Sequence, residues 1–244
     1  MRPIGFSTGA LAKADFQSGI EMQRSFGVTA VELSALRDRE LMPLLRELGK
    51  LNLQGFSHVS FHAPSMLTDL NEGALLAALK DIPPSWPIIV HPDVIETPER
   101  WRFLGQRLCV ENMDQRKPTG RTVSEMETIF SELPDASFCF DIGHARQVDP
   151  TMGVAIGLLQ RFRGRLRQIH ISEVDPYGKH IPISFAALCG YQLVAKLIPR
   201  DCPAIIESTV DRAQIQNELE VALRVLTEEP KLELYPARGP ARSL

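Results

Sequence analysis

Residues 137–144 read Ser-Phe-Cys-Phe-Asp-Ile-Gly-His, SFCFDIGH in one-letter form. Phe138 and Phe140 alternate with Cys139 and Asp141, the period of two that sends successive side chains to opposite faces of a β-strand. Cys139 and Asp141 therefore share a face, and the strand ends on a carboxylate with an imidazole, His144, close behind. Five more short apolar segments end on a side chain able to hold a metal: FHAP at His62, VHPD at His91, VENMD at Glu111, IHIS at His170 and IIEST at Glu207. Imidazoles and carboxylates suit zinc, manganese or magnesium, and a metal site needs several of them at one point. Strand ends converge in this way only when the strands form a ring.

Working outward, eight strands are predicted at 4–8, 29–34, 54–62, 88–91, 108–112, 137–142, 166–172 and 204–208. Helical spacing lies between them: Leu41, Leu44, Leu45 and Leu48, then Leu75, Leu76 and Leu79, then residues 154–162. The first helix is predicted over 15–26 and the last over 214–226, and the stretch after His91 leaves room only for a tight crossover. Thr122 and Glu125 read as a capping box, and Thr97 as a cap ahead of Pro98. Strictly alternating strands and helices most economically give an α/β fold, a single-domain (β/α)8 TIM barrel, because parallel strands need crossovers and closure removes both sheet edges. The barrel is expected over 1–228, followed by an irregular tail at 229–244 rich in Pro, Arg and Glu.

Bulk properties fit such an enzyme. The 244 residues are 44% hydrophobic and 23% charged, enough for a sizeable core. A net charge of -3 argues against nucleic acid as the partner and leaves a small molecule as the expectation. Cys109, Cys139, Cys189 and Cys202 show no CxxC spacing and read as reduced structural thiols, which makes the cytoplasm the expected location. No signal-like stretch opens the sequence and no apolar run approaches membrane-spanning length. A homo-oligomer is left open.

Parity sorts the candidates. Gln168, His170 and Ser172 alternate with Ile169 and Ile171, Glu111 shares a face with Cys109, and Glu207 with Ile205, so the polar set points inward at the strands' C-terminal ends. His58 has the parity of His62 but lies about 13 Å down the strand, and is expected to be structural. A buried cluster of Glu111, Asp141 and Glu207 would repel itself without a cation, which favours metal binding over an ion-pair network. At the mouth, Asp114, Arg116, Lys117 and Arg121 follow Glu111; Glu173, Asp175, Lys179 and His180 follow His170 on a loop able to close. Arg116, Lys117 and Lys179 are the candidate substrate-binding cations. Glu32, Trp86 and Trp101 either line the pocket or pack outside it.

In their order these motifs (HAP, HP, EN, D-x-x-H, H-x-S, E-S) resemble the xylose-isomerase-like barrels, which include sugar isomerases, epimerases and apurinic-site endonucleases, over nearly the whole chain to about Val210. The resemblance implies that Glu111, Asp141, His170 and Glu207 bind the main divalent ion. It further implies that His62, His91, His144 and His180 match positions that bind additional zinc in the endonuclease branch. The chain departs from that branch at Gly178, where the endonucleases carry an aspartate, which argues against a full three-metal site.

Three functions follow as expectations. In a sugar isomerase or epimerase, the favoured reading, a divalent metal (Zn, Mn or Mg) chelates substrate oxygens while Glu111 and Glu207, facing each other, act as the catalytic proton-transfer pair. In a zinc-dependent phosphodiester hydrolase the metals activate water. In a non-catalytic barrel, metal and ligand binding persist without turnover.

Overall fold

Apolar and β-branched runs become strands in the computed structural model, which describes residues 2–227. The strands are β1 Ile4–Ser7, β2 Ala30–Ser34, β3 His58–His62, β4 Ile88–Val90, β5 Leu108–Glu111, β6 Ser137–Asp141, β7 Leu166–Ile171, the short β8 Glu173–Val174 and β9 His180–Ile181, and β10 Ala204–Ile206. The helices are α1 Thr8–Ala12, α2 Phe16–Arg24, α3 Asp38–Glu47, α4 Glu72–Leu79, α5 Pro98–Trp101, α6 Val123–Glu132, α7 Ile142–Val148, α8 Gly153–Phe162, α9 Phe185–Ala195 and α10 Ile215–Leu226. All strands except β8 and β9 close into one parallel barrel in the order β1-β10-β7-β6-β5-β4-β3-β2. The chain is thus the expected single-domain (β/α)8 TIM barrel; the tail expected at 229–244 lies outside the described residues.

Register carries the inward parity round the ring. Asp141 pairs with His170, His170 with Ile205, and Glu111 with Cys139, so the polar ends of four neighbouring strands stand nearly level. Ile89, Cys109 and Cys139 pack as a small cluster inside the barrel, separate from the main core between sheet and helices. A one-residue slip of β6 would turn Asp141 into that outer core. The cysteines are free, as expected, and burial pushes the Cys109 thiol up to about 12.

Local departures from the sequence reading have local causes. Strand β3 starts at His58 rather than 54, because Gly55, at φ 94°, turns the chain first. The helix expected over 15–26 is preceded by α1 and runs only to Arg24, its N-terminus capped by Asp15 accepting from Ser18 N–H. Thr122 caps α6, but Glu125 returns to the Arg121 N–H rather than to Thr122, so the box is open on one side. Thr97 does not cap α5: its N–H is taken by buried Glu72, which also accepts from Glu96 N–H and Trp101 Nε1. That carboxylate organises the tight β4–β5 crossover and holds Trp101 behind the barrel. No helix among the described residues is long and apolar enough to cross a membrane.

Candidate metal centre and cavity

Helix α7 starts directly at the end of β6 because the Asp141 side chain accepts the His144 N–H at 2.6 Å. Gly143 is required there, since a Cβ would sit 2.6 Å from the Ser172 carbonyl oxygen. Asn112 locks the neighbouring strand end: its amide donates to the Asp141 carbonyl and accepts the Asp141 N–H, both at 2.8 Å. The β8–β9 hairpin, read from sequence only as a loop, brings His180 back so that its Nδ1 meets the Ser172 hydroxyl at 2.7 Å.

Glu111 is the hub. Its Oε2 lies 3.3 Å from His62 Nε2 and 3.4 Å from His91 Nε2, and its Oε1 lies 3.1 Å from His170 Nδ1 and 3.4 Å from His144 Nδ1. Glu207 Oε2 lies 3.4 Å from the same His170 nitrogen and 3.6 Å from His180 Nδ1. Sets of donor atoms within 4.8 Å of one another, each able to hold a metal, are His62, His91 and Glu111; Asp141, His144 and His180; Glu111, Asp141, His170 and Glu207; and Glu32, His62, His170 and Glu207. All eight expected ligands are therefore brought together. Glu32, left undecided in the sequence, joins them from inside β2. Its signal was an acid between Val31 and Leu33 in a short strand with an apolar start, Ala30–Ser34.

The charges are mutually dependent. Burial would raise the Glu111 and Glu207 carboxyls, but the facing histidines, His170 foremost, hold both well below the carboxylate range. Burial would likewise lower His62, yet its Glu111 contact and the Glu32, Glu111 and Glu207 charges raise it to about 9. Burial, reinforced by Glu111 and Glu207, pushes Asp141 well up. The donor set fits a cation: it stands in for the protons now shared there, and Asp141 Oδ2, Glu32 Oε1 and His91 Nδ1 are buried with no hydrogen-bond partner among the described residues.

Above the hub opens a cavity of about 420 Å³, lined by His62, His91, Glu111, His144, His180 and Glu207 below and by Arg116, Lys117 and Lys179 at the rim. Arg116 is clasped by Asp114 and donates to the carbonyls of Tyr177 and Gly178, which ties the loop after β5 to the β8–β9 hairpin across the mouth. Lys117 pairs with Asp93 at 2.7 Å. Arg121, expected beside the mouth, instead pairs with Glu125 on α6. Trp86 and Trp101 both pack in the outer core, not in the pocket. His58 contacts Gln168 Oε1 at 2.7 Å below the centre and joins none of the donor sets.

Neither a protein-family model nor a curated protein matches the chain. Solved structures do. Endonuclease IV from Thermus thermophilus superposes with a TM-score of 0.60 at 19% identity, over 92% of this chain and 98% of that one. A xylose isomerase-like TIM barrel protein from Mycobacterium smegmatis in complex with magnesium gives 0.55 at 15% identity, over 93% and 98%. SacUVDE gives 0.53 at 14% identity, over 85% and 83%. The chain has the fold of the xylose-isomerase-like TIM barrels.

Proposed function

We propose that the protein is a divalent-metal-dependent isomerase or epimerase of a sugar or sugar-like hydroxycarbonyl compound. One observation carries this reading: Glu111 and Glu207 meet a single His170 nitrogen at 3.1 and 3.4 Å, two carboxylates converging beneath a cavity of about 420 Å³. Glu111, Asp141, His170 and Glu207 would hold the ion. When bound, it supplies Lewis acidity that acidifies the C–H beside a substrate carbonyl. Glu207 and Glu111, both of which line the cavity, remove and return the proton. Arg116, Lys117 and Lys179 orient hydroxyl or anionic groups at the rim. A cavity of about 420 Å³ falls in the range of small-molecule sites, which supports a small substrate over a nucleic-acid duplex. The structurally similar mycobacterial barrel is a magnesium complex, consistent with a divalent ion here.

A second reading, zinc-dependent phosphodiester hydrolysis, is favoured by the separate donor sets around His62 and His91 and around His144 and His180, which have room for more than one ion. The fold is likewise shared with endonuclease IV.

The deciding experiment is elemental analysis of purified wild-type protein, Glu111→Gln and His62→Ala, beside solvent-deuterium exchange into a panel of aldoses and ketoses. One ion dependent on Glu111 but not His62, with exchange at the carbon next to the carbonyl, supports isomerisation. Two or more zinc ions, one lost in His62→Ala, with cleavage of an abasic-site oligonucleotide and no sugar exchange, replaces it by the hydrolase. Stoichiometric metal with neither reaction, or no metal at all, ends both.

A further inference from the structure

His170 stands between two acidic layers. Its Nδ1 faces Glu111 and Glu207 at 3.1 and 3.4 Å, and its Nε2 faces Glu32 Oε2 at 3.2 Å. A neutral imidazole offers one lone pair and one N–H, and the partner of the N–H decides which nitrogen is free. The other nitrogen near Nε2 belongs to Gln168, 3.0 Å away, and that amide is a donor. Its orientation follows from the carboxylate: turned round, Gln168 would set its own oxygen against Glu32, whereas as placed it donates to Glu32 Oε2 at 2.8 Å while His58 meets its Oε1. Ser60 adds a donor to the same oxygen at 2.9 Å. Gln168 and Ser60 thus both donate to Glu32 Oε2, His170 Nε2 lies 3.2 Å from the same oxygen, and Glu32 is fully buried.

Its surroundings set Glu32 apart from the partners of the other histidines. His62 Nδ1 lies 2.7 Å from the Ala63 carbonyl and His144 Nδ1 lies 2.9 Å from the Asn112 carbonyl, both neutral acceptors. Those two imidazoles make their shortest Nδ1 contact with a carbonyl, whereas His170 Nε2, the nitrogen turned away from Glu111 and Glu207, meets a carboxylate oxygen at 3.2 Å. Burying that carboxylate is costly unless it is paired and hydrogen-bonded, and His170, Gln168 and Ser60 are the partners of its Oε2. An anionic acceptor behind a ligating imidazole fixes its tautomer and makes it a stronger donor to a cation.

We propose that Glu32 is the positioning residue of the centre: it takes the Nε2 hydrogen of His170 and presents Nδ1 to a divalent cation held with Glu111, Asp141 and Glu207. The inference rests on the metal-dependent reading above. Gln168 and Ser60 hold the Glu32 carboxylate in place, and its second oxygen, Oε1, has no hydrogen-bond partner among the described residues.

The test uses the full chain, zinc alone as probe, and two readouts other than turnover: ring-nitrogen NMR of His170 in the zinc-loaded protein, and zinc affinity by competition with a chelator. Wild-type His170 should show a protonated Nε2 and a zinc-bound Nδ1. Glu32→Gln should weaken zinc about tenfold to a hundredfold without changing zinc per chain at saturation, and Glu32→Asp should recover part of the loss. Wild-type affinity in Glu32→Gln overturns the proposal. So does one zinc fewer per chain at saturation, which would make Glu32 a direct ligand, or a wild-type His170 protonated on Nδ1. The NMR arm needs no variant, so a Glu32 substitution that fails to fold leaves the proposal open to refutation. Failure of the wild-type protein to take up zinc, manganese or magnesium would be the distinct signature that the metal-dependent reading itself is wrong.

Discussion

The Arg116 guanidinium fills the space that a side chain at Gly178 would occupy: a Cβ built there would lie 1.8 Å from Arg116 Cζ. Gly178 also has φ 74°, a conformation other residues adopt at a cost. The two positions are therefore coupled. Gly178→Asp should destabilise the protein by about 1–3 kcal/mol, partly by expelling Arg116 from its Asp114 clasp. In denaturant titrations Arg116→Ala should remove much of that extra cost, leaving the backbone term. Strictly additive losses in the double variant would contradict the coupling.

Glu111→Gln keeps the shape of the hub and removes its charge. Bound metal per chain should fall to near zero, and turnover by about 10²–10⁴-fold if Glu111 also carries a proton. In metal-free protein the His62 pKa, raised to about 9 with Glu111's help, should move down toward the ordinary histidine value. Proton NMR of the histidine rings reads this directly, and an unmoved His62 titration would refute the assignment.

Cation and protons compete for the same atoms. His62, raised to about 9, and His170, raised well above its ordinary value, must both lose a proton to ligate. Apparent metal affinity should fall as pH drops from about 9 to 6, by about tenfold per pH unit for each proton displaced. Metal-free stability runs the other way. The raised histidines stabilise fully below their unfolded value of about 6.5 and lose that contribution as pH rises through about 9. The depressed Glu111 and Glu207 contribute above about 4.5 and lose it as pH falls. Metal-free melting temperature should thus peak between about 4.5 and 6.5. Calorimetry over pH 4–9, with and without zinc, checks both signs.

Away from the centre, Asp38 at the start of α3 accepts the N–H groups of Thr68, Asp69 and Leu70 and the Thr68 hydroxyl. The Asp69 N–H contributes most to holding its pKa well below the carboxylate range, against the opposing effect of burial. Asp38→Asn should cost about 1.5–3 kcal/mol at pH 7, because Asn offers one neutral acceptor to several donors. The loss should shrink as pH falls below about 4, where the wild-type carboxylate begins to lose its advantage. Equal losses at pH 7 and pH 3 would contradict the charge argument.

The barrel was legible because period-two alternation survives in strands such as β6 and β7, where Phe138, Phe140, Ile169 and Ile171 face the helices. The six strand-end candidates His62, His91, Glu111, Asp141, His170 and Glu207 were legible for the same reason, since each closes an apolar run, whereas His144 and His180 entered as ligands only through the family resemblance. Glu32 was not legible, since its strand is buried on both faces and an acid there reads equally as a lining or a packing residue. The fates of Trp86 and Trp101 depend on partners distant in sequence, which local pattern does not encode, whereas Arg121 was missed because Glu125, four residues on, reads as the capping partner of Thr122. Gly178 was noticed as a missing acid; that Arg116 takes its volume required the hairpin's path.

Among the described residues, the buried side-chain polar atoms without hydrogen-bond partners are Glu32 Oε1, His91 Nδ1 and Asp141 Oδ2 in the centre, and Asp93 Oδ1 on the carboxylate that holds Lys117 at the rim. No other buried side-chain nitrogen or oxygen among the described residues lacks a partner, and three of these four atoms lie where an ion would relieve them. An ion bound only by the native chain adds RT ln(1 + [ion]/Kd) to its stability, about 2.7 kcal/mol at a hundredfold excess over Kd. Under the metal-dependent reading, ion supply would act as a folding cofactor. When the ion is scarce the same polypeptide spends more time unfolded and exposed to proteolysis, so its abundance should track metal availability even where transcription does not change.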